Sequence, residues 1–190
     1  MKWVLQHRLY VFSFLFLLVC SQKPTMVFGQ KTAKELSTEM FRKAVDALIV
    51  GDYDSSLSLF DKILKTRIEN DGANSVSVAN VLVNIGVIKS QLGLYDQAIQ
   101  YYNQAGQIYK LFGDEQLKSI GSIQQNIAIC YMETGDIENA SIYYESANRV
   151  FQKIGILNSV EYEALLINLA IFYGETSSFQ VAFENIEKSV

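Results

Sequence analysis

Beyond residue 30, apolar side chains recur along the chain at three- and four-residue steps. Ala33, Leu36, Met40, Ala44, Ala47 and Leu48 make one such stripe, closed by Gly51, and Tyr53, Leu57, Phe60, Ile63 and Leu64 make the next. This is the spacing of an amphipathic helix, and it predicts two helices joined by a tight Gly51-Asp52 turn as antiparallel partners. Asn70-Asp71-Gly72 ends the second, since Gly and Asn tolerate the left-handed conformation that terminates a helix. The same reading predicts helices over 78–92 and 95–112, stopped at Gly113, then over 117–134 and 137–154, stopped at Gly155. A last pair begins near Val160 and turns at Ser177-Ser178.

These stripes repeat. An offset of 42 aligns Gly51-Asp52-Tyr53 with Gly93-Leu94-Tyr95, Gly135-Asp136-Ile137 and Ser177-Ser178-Phe179, with no gap. The same offset aligns Asn84-Ile85-Gly86 with Asn126-Ile127-Ala128 and Asn168-Leu169-Ala170, and it aligns Ala98 with Ala140 and Ala182. A period of this length signals a stacked array, in which no unit buries its apolar face alone. The units are residues 37–78, 79–120, 121–162 and an incomplete 163–190, within a domain spanning 30–190.

The second unit carries Leu82, Ile85, Gly86, Gly93, Tyr95, Ala98, Tyr102 and Ala105, and the third Ile127, Ala128, Tyr131, Gly135, Ala140, Tyr144 and Ala147. This pattern resembles the tetratricopeptide repeat, in the longer-period form similar to kinesin light chains and to bacterial signalling and scaffold arrays. The resemblance implies an all-α fold, a right-handed superhelical array of about four antiparallel helix hairpins. It also implies that the first helix of each unit lines an inner groove. Units one and four depart from the pattern, with Ser56 in place of the alanine and Ser177 in place of the turn glycine. The usual period is about 34 residues, so the extra length falls in the second helix and its connection.

The chain opens differently. Lys2 and Arg8 precede an apolar run from Leu9 to Val19, and no acidic residue occurs before Glu35. That is the layout of a secretory signal peptide, and the run falls short of the roughly 20 residues that span a bilayer. Cleavage after Gly29 is expected, leaving an exported protein, periplasmic or secreted, that starts at Gln30. A second reading lipidates Cys20 behind Leu17-Leu18-Val19, although Val19 stands where a small residue is usual. Removing residues 1–29 takes away Lys2, Arg8 and Lys23 and leaves 13 basic residues against 20 acidic, a balance of −7. Such a chain repels a phosphate backbone, so nucleic acid is excluded as a partner.

The same cut removes the only His and one of the two Cys, and with them the commonest catalytic base and any internal disulfide. Cys130 aligns with Ile88 and Phe172, which marks it as a packed thiol. Asp52, Asp54, Asp136 and Glu138 stand at turns where carboxylates cap helix starts, and no calcium loop, phosphate loop or Cys/His metal spacing is present. No cofactor, metal or enzymatic activity is expected. Most tyrosines from Tyr95 to Tyr173 occupy repeat core positions, with Tyr101 and Tyr143 as the partly exposed exceptions.

The expected function is that of a scaffold binding a peptide or protein segment in the groove. Asn84, Asn126 and Asn168 recur at the offset of 42 and form either a ladder of amides for a peptide backbone or a set of supports between helices. Val83, Val87, Ile129, Ile167 and Ile171 lie close by as apolar contacts, with Gln125 and Glu133 for selectivity. An alternative makes the chain the amino-terminal interaction part of a larger peptidase, histidine kinase or transcriptional regulator. No polar capping helix covers Phe183, Ile186 and Val190, and this uncapped edge would also suit a homodimer.

Overall fold

The computed structural model describes residues 33–175. The expectations for residues 1–32, which include the signal segment and Cys20, and for 176–190, which include the Ser177-Ser178 turn and the uncapped edge, lie outside the described residues. Seven α-helices make up the described part: α1 (Ala33–Ile49), α2 (Tyr53–Asp71), α3 (Val76–Gln91), α4 (Tyr95–Lys110), α5 (Leu117–Glu133), α6 (Ile137–Lys153) and α7 (Val160–Glu175). A short 3-10 helix, Gly113–Gln116, stands between α4 and α5 where the sequence predicts a plain stop. No strand occurs among the described residues, and none of their helices is long and apolar enough to cross a membrane.

Each of the three described hairpins turns on a glycine. Gly51, Gly93 and Gly135 have φ of 80°, 72° and 79°, the left-handed region that an L side chain rarely adopts. Just after the turn, Asp52 accepts a hydrogen bond from Ser55 N at 3.2 Å, and Asp136 accepts one from Asn139 N at 3.1 Å. These bonds satisfy amides that a helix start leaves open, as the sequence predicts for those two carboxylates. The second unit has Leu94 at the same place, and α4 begins with no side-chain cap.

The core is continuous along the stack. Tyr102 packs with Ala98 and Ala105 of its own unit and with Ile123, Ile127 and Cys130 of the next. Tyr144 repeats the arrangement, its ring 5.4 Å from that of Phe172 across the following joint. Small residues set how close the helices come. At Gly86 an added Cβ would lie 2.7 Å from Tyr102 Cε1, so α3 and α4 meet there with no room for a methyl. Ser56, where the other units have Ala98 and Ala140, is buried and donates to Ala44 O at 2.7 Å. The hydroxyl is thus paired inside the first hairpin, so this departure from the repeat pattern leaves no buried polar group unsatisfied.

Candidate functional site

The two helices of a hairpin occupy different layers. Two neighbouring pairs of first helices touch directly, α3 against α5 and α5 against α7, whereas the second helices α2 and α4, or α4 and α6, share no comparable contact. The first helices therefore form the crowded inner layer and the second helices the outer one. Lys118 at the start of α5 and Glu161 at the start of α7 form an ion pair of 2.8 Å across that inner layer.

The ten residues expected to line the groove do not all face it. Ile167 is exposed, and Val83, Val87, Asn126, Glu133 and Ile171 are half-buried. Asn84, Gln125, Ile129 and Asn168 are buried, Ile129 within the apolar cluster that joins units three and four. Asn84 donates its amide to Asn80 O, one turn back on its own helix, at 2.7 Å. Asn168 Nδ2 is enclosed with no hydrogen-bond partner.

The register shows why the outer rungs are enclosed. The position held by Asn84, Asn126 and Asn168 is held in the first unit by Arg42, which is exposed and pairs with exposed Asp46 at 3.1 Å. Asp46 in turn aligns with Ile88, Cys130 and Phe172, all buried. The same helical face is open in unit one and covered in the later units, so the stripe runs along the seam where each first helix meets the unit before it. Asn126, the middle rung, is half-buried.

Two contacts across the seams were not drawn from the sequence. Tyr53 donates to Gln91 Oε1 at 3.5 Å and Tyr95 to Glu133 Oε2 at 3.3 Å, each joining the start of a second helix to the end of the next unit's first helix. Their signal is present: a tyrosine recurs at the offset of 42, with Gln or Glu 38 residues further on.

Cys130 is fully enclosed, its Sγ 3.6 Å from Ser90 Oγ. Burial pushes its thiol pKa up to about 11, so thiolate is scarce at neutral pH. No group of three or more His, Cys, Asp or Glu side chains converges in a way that could hold a metal among the described residues.

An inner layer in which α3, α5 and α7 touch, an outer layer spaced wider and a glycine turn in each of the three described hairpins define a helical-repeat superhelix of the kind that presents a surface to other proteins. The chain belongs to the tetratricopeptide repeat family, whose profiles match residues 36–110 and 121–153. Among solved structures it is similar to BtubC (BKLC) from P. vanneervenii, with a TM-score of 0.69 at 23% identity, covering 85% of this chain and 65% of that one. It is also similar to aspartyl phosphate phosphatase F from Bacillus subtilis, with a TM-score of 0.74 at 18% identity over 84% of this chain and 40% of that one. A putative kinesin light chain from Podosopora anserina with nearly identical TPR-like repeats gives 0.66 at 16% identity, over 80% and 72% of the two chains. The chain thus spans 65% of the length of the first relative and 40% of the second. No curated protein matches the sequence. These likenesses establish the fold, and the tetratricopeptide fold is that of a protein-interaction scaffold.

Proposed function

We propose that this chain is an exported, non-enzymatic scaffold that takes a peptide or protein segment along the inner face formed by α3, α5 and α7. The observation that carries the reading is the inner face itself. Val83 and Val87 in the second unit and Ile167 and Ile171 in the fourth keep part of their apolar surface open, with the half-buried Asn126 and Glu133 on the helix between them. An extended segment laid across the first helices would meet an apolar step in the second and fourth units and polar groups in the third. The reading as a scaffold is supported by the family and by the chemistry at hand, since the one thiol of the described residues is enclosed and held protonated. Export is supported by the residues before Gln30.

Panning a random peptide library against the purified chain tests the groove. Peptides that bind there lose about tenfold or more in affinity on Ile167→Asp, because the substitution sets a charge in the apolar contact. Asn126→Ala weakens the same peptides while leaving the melting temperature nearly unchanged, as suits a half-buried amide. Enriched peptides indifferent to both substitutions would defeat the groove reading. Intact mass of the protein recovered from its native host tests export, and a soluble species that retains Met1 would overturn it.

A further inference from the structure

The three hairpin turns lie along one edge of the array, at residues 50–54, 92–96 and 134–138. Together these segments hold five carboxylates, Asp52, Asp54, Asp96, Asp136 and Glu138, and no Lys, Arg or His. The same edge exposes large aliphatic side chains in every unit: Ile49 and Val50, then Leu92 and Leu94, then Ile137, with Val50 open over 78% of its surface. Scattered apolar residues on a surface are ordinary, but here they recur at one place in successive units and form a row with acidic neighbours.

Asp52 and Asp136 are engaged in capping helix starts, while Asp54, Asp96 and Glu138 are exposed and make no cap. None of the five takes part in an ion pair recorded among the described residues. The opposite edge contrasts with this one, since its charges are mixed and matched, Lys118 with Glu161 and Lys153 with Asp114. On the turn edge Tyr131 stacks on Tyr143, ring centroids 5.5 Å apart at 27°. Burial raises the pKa of the Tyr131 hydroxyl, and Tyr143, Asp136 and Asp96 raise it further. Asp96 and Asp136 belong to successive turns, so the carboxylates of units two and three act on one patch.

We infer that this turn edge is a docking surface distinct from the inner face, and that it takes a protein segment carrying Lys or Arg beside apolar side chains. The sign of the charge chooses the occupant. Unpaired carboxylates next to a stacked aromatic pair attract an ammonium or guanidinium through both charge and ring face. The aliphatic row receives the apolar side chains beside it. An acidic segment, a phosphate backbone or an anionic bilayer meets repulsion along the whole edge.

Fluorescence anisotropy of the full chain with labelled model peptides tests this, using an alternating leucine–lysine peptide and leucine–serine and leucine–glutamate controls of equal length. The leucine–lysine peptide binds in a salt-dependent manner and the controls bind at least about tenfold more weakly. Asp54→Asn with Asp96→Asn and Glu138→Gln, which keeps both capping aspartates, weakens the leucine–lysine peptide about tenfold and flattens its salt dependence. Val50→Ser with Leu92→Ser weakens it as well. Asp114→Asn with Glu115→Gln and Glu163→Gln on the opposite edge, and Ile167→Ser on the inner face, each change binding by less than about twofold. Helical circular dichroism of every variant verifies folding, and the charge variants alone decide the matter if the apolar pair misfolds.

An equal loss in the opposite-edge variant would mean unspecific attraction and overturn the inference. So would indifference of the peptides to lysine, or loss of binding through Ile167→Ser alone, which would put the peptide in the groove. Binding of phosphatidylglycerol vesicles abolished by Val50→Ser with Leu92→Ser would assign the edge to a bilayer instead. The inner-face reading is tested by different peptides and variants, so either can fail without the other.

Discussion

Replacing Gly86 by alanine adds one methyl at the tightest approach between α3 and α4, and the structure fixes the sign of its effect. The new Cβ would lie 2.7 Å from Tyr102 Cε1, 2.9 Å from Cδ1 and 3.1 Å from Cζ, all on one ring. Carbon pairs rest at about 3.5–4.0 Å, so the ring must withdraw by roughly 0.8 Å or more. It has nowhere open to go, because Tyr102 is buried against Ile123, Ile127 and Cys130 of the next unit. Overpacking of this kind costs about 1–3 kcal/mol. Against it stands the better helix propensity of alanine, about 1 kcal/mol. Because the obstacle is a wedged ring and not the free end of a flexible chain, the upper part of the overpacking range applies. The net loss is then about 1–2 kcal/mol, or a fall in melting temperature of about 2–8 °C for a chain of this size.

Thermal unfolding followed by circular dichroism measures that loss, and Tyr102→Leu supplies the control. With the ring gone, Gly86→Ala becomes neutral or stabilising, since only the propensity gain remains. The equivalent place in the third unit already holds Ala128, fully buried, so Ala128→Gly must destabilise where Gly86→Ala does too. A rise in melting temperature for Gly86→Ala in the unmodified chain, or an equal fall with and without Tyr102, would refute the argument.

Leu94→Asp should stabilise the protein by about 1 kcal/mol, because the residue is exposed at the start of α4, which has no side-chain cap, and Asp52 and Asp136 hold the same place in the neighbouring units; a lower urea midpoint would count against it. Glu161→Gln should lower stability by up to about 1 kcal/mol near neutral pH and have no effect in acid. Burial pushes the Glu161 carboxyl up, but the hydrogen bond and charge of Lys118, with hydrogen bonds from its own backbone N–H and from Ser159, together outweigh it, so its pKa lies below the ordinary 4.5. A depressed carboxylate contributes stability that is present above its unfolded pKa and lost as pH falls through the folded one. Melting curves of both proteins should therefore converge as pH falls through the depressed folded pKa of Glu161, and a difference that persists in strong acid would contradict the assignment.

The repeat was legible because its most demanding positions tolerate few residues. Gly51, Gly93 and Gly135 are dictated by positive φ, and Ala98, Ala140 and Gly86 by helix approach, so each leaves a mark in the sequence at the offset of 42. Helix ends follow from the same residues: α2 starts and stops where Asp52-Tyr53 and Asp71-Gly72 place it. The candidate site was harder to read. Asn84 and Asn126 are the same residue in the same register, yet one is buried and the other half-buried, because exposure at a seam depends on how neighbouring units tilt. A helix turns about 100° per residue, and a small rotation moves a side chain from groove to seam. The ring contacts of Tyr102 and the bonds from Tyr53 and Tyr95 likewise depend on distances between units, which no single unit encodes. The 3-10 turn at Gly113–Gln116 escaped for a simpler reason, since Gly113 announces a stop and says nothing of the path after it.

The bonds from Tyr53 and Tyr95 have a mechanical meaning. They clip the first joint and the second, each across the corner where one unit's turn meets the next unit's inner helix. At the third joint the corresponding residue is Ile137, which has no hydroxyl to offer. That joint is held instead at the opposite edge, by the ion pair of Lys118 with Glu161, and inside by the rings of Tyr144 and Phe172. The first two joints are thus clipped on the turn side and the third on the far side, so a pull along the array loads hydroxyl bonds at one edge and an ion pair at the other.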